Sequence, residues 1–258
     1  MSTAEGTTQA WDRRTLDDPH GQPDKADRVR AMFDAIAPTY ERVNQITSLG
    51  RDRHWRRKAV SLASVWPDDR VLDVACGTGD LARAFAAAGP RGVVGADFAH
   101  NMLSLAAGRG DRGLTWCRAD ALALPFADES FTIVSSAFGV RNFQDLSRGL
   151  SEMYRVLAPG GRVVVLEFGL PKSSWLRSTY QFYFRRVLPR LARLISGDQS
   201  GAYDYLPRSV ATFLDADEMV RVLRGVGFHP VEARPLTLGV AIAFVAYKPR
   251  RAAGARPG

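Results

Sequence analysis

Residues 71–80 read VLDVACGTGD, an apolar run that ends on an acid and continues into a glycine-rich turn. The apolar residues are typical of a buried parallel strand. Gly77 and Gly79 allow the backbone to approach a ligand where a Cβ atom would collide with it. A helix is expected to begin at Asp80. The order of strand, glycine loop and helix predicts a site that holds a small molecule against the loop.

Two kinds of nucleotide site share this order, because Gly77, Gly79 and Ala82 also match the dinucleotide pattern G-x-G-x-x-G/A, with Asp97 at about the expected distance. Asp73 helps to separate them. A carboxylate at the carboxyl end of the strand would repel a pyrophosphate but attract the sulfonium and α-ammonium groups of S-adenosylmethionine. Asp73 therefore favours the methyl donor over NAD, and a solvated acid in a tight turn is the alternative.

Acids also follow the next two predicted strands. The strand at residues 92–96 ends on Asp97, whose carboxylate can accept hydrogen bonds from both hydroxyls of a ribose. The strand at residues 114–119 is followed by Asp120 and Ala121, where a carboxylate and a backbone N–H can pair with adenine. Taken alone, Asp120 suits a simple turn nearly as well. Acids after three successive strands favour a nucleoside site.

Strands and helices alternate from residue 71 to residue 168, which predicts an α/β fold with a doubly wound parallel sheet. The last two strands, near residues 229–234 and 239–247, are joined by a short link that contains a proline. Such a short connection indicates an antiparallel final pair.

Further elements are predicted on both sides of this sheet. Apolar residues at helical spacing predict an amphipathic helix at residues 27–37, followed by a structured loop at 40–50 and a basic helix at 51–64. Residues 171–207 interrupt the alternation with aromatic residues and leucines among arginines. This insertion is expected to be helical and two-faced.

The chain length of 258 residues, with 46% hydrophobic residues, suits one domain with a full core. We expect this domain to span residues 27–249, between a disordered arm at 1–26 and a disordered tail at 250–258. The sequence lacks an apolar stretch of roughly 20 residues and a signal-peptide core, which predicts a cytosolic protein.

The formal net charge of +8 favours an anionic partner surface, either nucleic acid or acidic lipid, without choosing between them. The two cysteines, Cys76 and Cys117, are too few for a metal cluster or a disulfide framework. No metal is therefore expected, and both thiols are expected to be reduced and unreactive.

Six segments, in this order along the chain, resemble the demethylmenaquinone and ubiquinone-precursor C-methyltransferase family, over about residues 29–248. They are YERVNQITSLGRDRHWRRKAV (40–60), VLDVACGTGDLA (71–82), ADALALPFADESF (119–131), FGVRNFQD (138–145), EMYRVLAPGGRVVVLEFGLP (152–171) and SGDQSGAYDYLP (196–207). The resemblance implies a class I methyltransferase fold, whose seven-stranded sheet has a reversed last strand, and S-adenosylmethionine as the methyl donor.

Carried over residue by residue, the family pattern places the methyl donor against Thr78, Asp97 and the pair Asp120 and Ala121. The chain departs from the family at two positions. A serine expected shortly before the FGVRN segment is Ala137 here, and a histidine that is common in the last strand is Phe244. No contact is assigned to these two residues.

The resemblance also implies that the reaction is the methylation of a ring carbon of demethylmenaquinol. Arg141, in FGVRN, is a permanent cation that can stabilise the developing oxyanion of the ring. Tyr40 can accept or relay the proton if a neighbour such as Arg141 lowers its pKa. Without the resemblance, a structural ion pair for Arg141 and a packing ring for Tyr40 would be the preferred interpretations.

Several alternatives stay open. The substrate can be a ubiquinone precursor or another prenylated or polyketide phenol, and a nucleic-acid methyltransferase or a noncatalytic S-adenosylmethionine-binding regulator would share the fold. Nucleic acid is not expected, because the aromatic motif of such enzymes is replaced by FGVRN. The insertion is interpreted as a lid over a prenylated quinol, with Arg185, Arg186, Arg190 and Arg193 touching an anionic membrane at its inner face. A simple core role for the insertion is the alternative.

Overall fold

The computed structural model describes residues 11–12, 14–111, 113–196 and 200–251. Its centre is a seven-stranded sheet in the order β3-β2-β1-β4-β5-β7-β6. The strands are β1 (Arg70–Val74), β2 (Gly92–Asp97), β3 (Leu114–Arg118), β4 (Phe131–Ala137), β5 (Leu157–Phe168), β6 (Val231–Leu236) and β7 (Ala241–Tyr247).

Strands β1 to β5 pair in parallel, whereas β7 runs antiparallel to both β5 and β6. This arrangement confirms the predicted doubly wound sheet with a reversed last strand. The direction of winding changes between β1 and β4, which are neighbours in the sheet. In sheets of this kind, the carboxyl ends of the strands at such a switch point form a ligand-binding crevice.

The sheet is covered by helices on both faces, which explains its continuous apolar strands. Leu72 and Val74 of β1 pack into one hydrophobic cluster with α6 and α10, and Val71 packs into a second cluster with α3 and α4. The helices are α1 (Lys25–Ile36), α2 (Tyr40–Thr47), α3 (Arg51–Ala63), α4 (Asp80–Ala86), α5 (His100–Ala107), α6 (Leu146–Val156), α7 (Ser174–Phe182), α8 (Leu188–Ser196), α9 (Ala202–Ala211) and α10 (Ala216–Val226).

The segment after α1 differs from the structured loop that the sequence predicted, because residues 40–47 form helix α2. Tyr40, Val43 and Thr47 recur at helical spacing, and Val43 is buried. The turn residues around Gly50, which has a φ of 71°, end this helix and do not mark a loop over the whole segment.

The insertion at residues 171–207 is helical, as predicted. Helix α7 continues through a π-helical turn (Tyr183–Val187) into α8, and α9 closes the segment. Residues 197–199 lie outside the described residues. Phe184 and Leu188 are buried, whereas Trp175 and Leu194 are exposed, so the insertion has two faces.

The N-terminal segment differs from the expected disordered arm over its described part. Residues 1–10 and 13 lie outside the described residues, but Trp11 and Leu16 are buried. The Trp11 ring lies 4.4 Å from the ring of Tyr205 in α9, so an aromatic contact distant in sequence holds the segment. At the other end, residues 252–258 of the expected tail lie outside the described residues, and the domain boundaries stay a prediction.

Because Trp11 is only 6% exposed, Trp11→Ala should lower the free energy of unfolding by about 3 kcal/mol, the order observed for buried aromatic residues. Urea unfolding measures this loss. Trp66→Ala is the matched control, since Trp66 is 68% exposed and its truncation should change stability by less than about 0.5 kcal/mol. Equal stability of the two variants would contradict the docked position of the N-terminal segment.

Candidate active site

The glycine loop between β1 and α4 lies at the switch point of the sheet. Its backbone adopts left-handed conformations at Ala75, Gly77 and Gly79, with φ values of 53°, 57° and 87°. A Cβ atom on Gly77 would meet nothing within 4 Å, so this residue faces open space. A Cβ atom on Gly79 would lie 2.3 Å from the Trp116 ring, so Gly79 lets this ring pack behind the loop.

Two small cavities flank the loop and bring most of the predicted donor-binding residues together. The Asp97 cavity, of about 70 Å³, is lined by Gly77, Asp97, Asp120 and Ala121 among others. The Asp73 cavity, of about 20 Å³, is lined by Asp73, Gly77 and Thr78 among others. The acids that follow three strands in the sequence are therefore neighbours in space.

Asp73 is buried at the end of β1. Its Oδ1 atom accepts a hydrogen bond of 2.8 Å from the hydroxyl of Ser135, the residue paired with it on β4. Its Oδ2 atom has no hydrogen-bond partner among the described residues. Burial raises the pKa of Asp73 to about 7, although Ser135 and the charge of Arg56 oppose the shift. A carboxylate oxygen that lacks a partner beside a cavity fits a cationic ligand.

Asp97, at the end of β2, is held by the backbone. Its Oδ2 atom accepts a hydrogen bond of 2.7 Å from the Gly77 N–H, and its Oδ1 atom accepts one of 2.8 Å from the Ala99 N–H. Burial raises the pKa of Asp97 to about 6, and these hydrogen bonds oppose the shift. Each oxygen retains acceptor capacity, so the carboxylate can accept further hydrogen bonds from a ligand.

Asp120 forms the turn that the sequence offered as its alternative role, and it also lines a cavity. Its Oδ1 atom accepts a hydrogen bond of 2.9 Å from the Leu122 N–H, and its backbone carbonyl accepts one of 3.0 Å from the Ala123 N–H. These bonds define a turn. The same turn places Asp120, Ala121 and Leu122 along the wall of the Asp97 cavity.

A third and larger space, the aromatic cavity, has a volume of about 290 Å³ and lies between helices α1 to α3 and the insertion. Its wall is mainly apolar and includes Phe33, Trp55, Phe138, Phe168, Phe184 and Leu188. Tyr40, the first residue of α2, lines all three cavities. The three cavities therefore meet at one side chain.

Burial raises the pKa of Tyr40, whereas the positive charge of Arg56 and a hydrogen bond with Asn44 act in the opposite direction. Its ring meets the Phe33 ring edge-on at 5.9 Å. Without a ligand, Tyr40 is a protonated phenol at neutral pH.

Comparison with known proteins agrees with this geometry. The model of the ubiE/COQ5 methyltransferase family matches residues 22–248. The chain belongs to this family. The demethylmenaquinone methyltransferase of Deinococcus radiodurans is 46% identical over 222 residues, which cover 84% of the chain and 91% of the relative. For the protein of the same name from Thermus thermophilus, the identity is 48% over 222 residues, covering 84% of the chain and 100% of the relative. The family prediction is confirmed.

Solved structures agree on the fold at low identity. A SAM-dependent methyltransferase from Thermotoga maritima matches with a TM-score of 0.60 and 20% identity, over 84% of the chain and 98% of that protein. The cyclase SpnF matches with a TM-score of 0.64 and 17% identity, over 88% of the chain and 98% of that protein. The class I methyltransferase fold is confirmed, and the cyclase illustrates that this fold alone does not define a reaction.

In this family member, Arg141 lies in a 3-10 turn (Val140–Asn142) and lines the aromatic cavity. Its Nη1 atom donates hydrogen bonds to Glu167 Oε2 at 3.0 Å and to the Phe138 carbonyl at 2.6 Å. The structural ion pair considered for Arg141 therefore exists. Its Nε atom, however, is buried without a partner among the described residues.

Sequence reasoning missed two charged residues at this site. Glu167 is only 2% exposed at the end of β5 and neutralises Arg141. Arg56 of α3 lines both the aromatic and the Asp73 cavities, and its Nη1 atom donates a hydrogen bond of 2.6 Å to Asp52. Glu167 follows the apolar run VVVL in the way that Asp73 follows VL, and this pattern is a signal by which sequence reasoning could have found it.

The two departures from the family pattern have different surroundings. Ala137 lines both the Asp97 and the Asp73 cavities, whereas Phe244 is buried in the core cluster beside α6 and α10. Ser135 donates a hydrogen bond to Asp73, and the Ser136 hydroxyl is buried without a partner among the described residues.

Among all the residues that the structure describes, no helix has the length and apolar character needed to span a bilayer.

The raised pKa of Asp73 predicts a pH dependence of stability. Between its ordinary value of about 4 and its folded value of about 7, the folded state retains a proton that the unfolded state has released. The stabilisation from this proton is complete at low pH and is lost as the pH rises to 7. Relative to Asp73→Asn, which has no such proton, the wild-type free energy of unfolding should fall by roughly 1–2 kcal/mol between pH 5 and 7.

Urea unfolding of the ligand-free protein at pH 5, 6 and 7 measures this difference. Asp68→Asn changes an exposed acid and is the matched control, which should follow the wild-type pH profile. A constant offset between wild type and Asp73→Asn over this range would contradict the raised pKa.

Proposed function

We propose that this methyltransferase transfers a methyl group from S-adenosylmethionine to a ring carbon of demethylmenaquinol. The observation that supports this most directly is the meeting of two acid-lined cavities with a large aromatic cavity at Tyr40. A charged, polar donor fits the first two cavities, and a flat apolar ring fits the third. The relatives named demethylmenaquinone methyltransferase extend over most of the chain.

The chemistry of the loop fits the donor. S-adenosylmethionine supplies an electrophilic methyl group on a positively charged sulfur. Asp73, with its unpartnered oxygen, is suited to the α-ammonium and sulfonium end, together with Gly77 and Thr78. Asp97 is suited to the ribose hydroxyls. Gly79 acts behind the loop, where it accommodates Trp116.

The adenine end is assigned to the turn at Asp120 and Ala121. Both residues line the Asp97 cavity, beside the carboxylate assigned to the ribose. The carboxylate of Asp120 can accept from the adenine amino group, and the N–H of Ala121 can donate to a ring nitrogen. In this proposal the ends of β1, β2 and β3 contact the methionine, ribose and adenine parts of the donor, in that order.

Methylation of a ring carbon requires electron density on that carbon, which an ionised ring hydroxyl provides. Arg141 stabilises the resulting oxyanion through the N–H that Glu167 leaves free. Because Tyr40 is itself protonated at neutral pH, it can relay this proton onward to water but cannot keep it, and its position at the junction of the cavities places it beside both the donor and the ring. The positive charges of Arg56 and Arg141 favour the ionised form of Tyr40, against the effect of burial.

An assay with labelled S-adenosylmethionine tests the function. The expected result is label transfer to demethylmenaquinol, and the comparison substrates are a ubiquinone precursor and bulk RNA. Transfer to the ubiquinone precursor instead would support the second candidate, which relatives named "Ubiquinone/menaquinone biosynthesis C-methyltransferase UbiE" make reasonable. Transfer to RNA alone would contradict both.

Arg141→Lys should lower the turnover of the quinol at least about tenfold, because lysine keeps the charge beside Glu167 but loses the N–H fork of the guanidinium. The dissociation constant of S-adenosylhomocysteine should stay unchanged. Arg162→Lys is the matched control, since Arg162 forms an ion pair with Asp69 at 2.5 Å outside the cavities. Wild-type turnover in Arg141→Lys would remove Arg141 from the chemistry.

We also propose that the insertion covers the quinol and contacts the anionic inner face of the cell membrane. Tyr180, Phe184 and Leu188 contribute to the wall of the aromatic cavity. On the outer face, Trp175 and Phe182 are 74% and 64% exposed. Arg185, Arg186, Arg190 and Arg193 line a shallow surface groove together with Leu194. Exposed apolar side chains among arginines suit the boundary between lipid headgroups and acyl chains.

Two further apolar side chains near the aromatic cavity are exposed. Leu49 is 84% exposed and Leu238 is 77% exposed, and each belongs to a loop that contributes to the cavity wall. We propose that an isoprenoid tail enters the cavity past these side chains, since apolar contacts there would keep the tail out of water.

The variant Arg186→Glu/Arg190→Glu should reduce binding to vesicles that contain anionic lipid at least about tenfold, since each basic residue near such a surface contributes about 1 kcal/mol. Vesicle flotation at low and high salt measures this binding. Arg221→Glu/Arg224→Glu makes the same charge change on the exposed side of α10 and should float like wild type. Equal flotation of the two variants would contradict docking through the insertion.

A further inference from the structure

The wall of the aromatic cavity contains a second polar group that the reaction scheme above does not use. The Tyr180 hydroxyl is buried, and it has no hydrogen-bond partner among the described residues. An unpartnered buried hydroxyl destabilises the folded protein, so a bound group that accepts its hydrogen bond is the simplest explanation.

Two neighbouring tyrosines at the same cavity, Tyr183 and Tyr205, are different. The Tyr183 hydroxyl donates a hydrogen bond of 2.8 Å to the Thr47 carbonyl, and the Tyr205 hydroxyl donates one of 2.9 Å to Asn142 Oδ1. Both hydroxyls are satisfied within the protein. The Tyr180 hydroxyl thus differs from these two in having no hydrogen-bond partner among the described residues.

The contacts around Tyr180 form an aromatic wall with a polar group at each end. The Arg141 guanidinium carbon lies 5.4 Å from the Phe168 ring centre. The Phe168 ring lies 5.7 Å from the Phe184 ring, which lies 4.7 Å from the Tyr180 ring. Arg141 Nε at one end and Tyr180 Oη at the other are both buried without partners among the described residues. Two buried donors along one aromatic wall suit a flat ring that carries two oxygens.

We propose that Tyr180 positions the substrate by donating a hydrogen bond to the second ring oxygen of a 1,4-dihydroxy aromatic ring, the oxygen para to the one that faces Arg141. This inference rests on the proposed function and specifies how the ring is recognised. Two fixed oxygens determine which ring carbon faces the methyl donor, and they select dihydroxy rings over rings with one hydroxyl.

The electrostatic surroundings suit a donor in preference to a base. Burial raises the pKa of Tyr180, and the charge of Arg141 opposes this shift only in part. The hydroxyl therefore stays protonated at neutral pH. Tyr180 orients the ring, while proton transfer is left to the residues at the junction of the cavities.

The test uses Tyr180→Phe in the full-length protein, with a short-chain 1,4-naphthoquinol as the probe. Binding of the quinol should weaken roughly ten- to hundredfold, as expected when a buried hydrogen bond to a ligand is removed. Binding of the analogue that lacks the ring hydroxyl assigned to Tyr180 should be the same in wild type and variant. The dissociation constant of S-adenosylhomocysteine should also be unchanged.

Stability separates this role from a structural one. Since the hydroxyl has no partner among the described residues, Tyr180→Phe should unfold at the same urea concentration as wild type or a higher one. Tyr154→Phe is the matched control, because Tyr154 packs against Phe228 outside the cavities and its variant should bind the quinol normally.

Unchanged quinol binding in Tyr180→Phe, or weaker binding together with lower stability, would overturn the inference. Because the measurement is of binding, it is independent of turnover. Tyrosine-dependent binding of the quinol by a wild-type protein that does not methylate it would refute the proposed reaction and leave the recognition intact.

Discussion

The burial of two carboxylates at neighbouring strand ends is the constraint on which the rest of the site depends. Asp73 and Asp97 are removed from water, where an ionised carboxylate is costly unless it is paired. Asp97 is compensated by two backbone N–H groups, one of them from Gly77, so the same bonds that hold the acid also fix the glycine loop. Asp73 accepts a hydrogen bond at only one of its oxygens, and its raised pKa reflects the missing stabilisation of the ionised form. A cationic ligand removes that deficit, which links ligand affinity to the architecture of the sheet.

A buried charge with incomplete pairing also occurs at the aromatic cavity, where the charge is positive. Arg141 is buried, but Glu167 neutralises it through a single Nη atom, and a second N–H is left without a partner among the described residues. A fully paired arginine would offer little to an oxyanion, and an unpaired one would be too costly to bury. The pair at the end of β5 therefore makes a buried guanidinium tolerable while preserving part of its donor capacity for a substrate.

The sheet and its acids could be predicted because the signals are local: apolar runs predict the strands, and their final residues predict the edge of the crevice. Features that depend on contacts between residues distant in sequence could not be predicted from these local signals. Trp11 is ordered by Tyr205, and Glu167 acquires its role from Arg141, 26 positions before it. Tyr180 was placed in a helical stripe of the insertion, where an aromatic residue of the core and one that recognises a ligand give the same pattern. The role proposed for Tyr180 rests on its hydroxyl, which has no partner among the described residues.

A prenylated substrate requires a cavity for its ring and access to the lipid that holds its tail, and we propose that the insertion serves both. Its inner face completes the cavity wall with Tyr180 and Phe184, and its outer face exposes Trp175 and Phe182 among arginines. Both faces belong to α7 and the π-helical turn that follows it, so movement of the outer face on the proposed lipid surface would be transmitted directly to the wall proposed to hold the ring. The helix itself connects the outer face to the cavity wall, so a more extended network of contacts is not required. The proposed contact with the bilayer and the proposed orientation of the ring would on this basis both follow from the position of one helix.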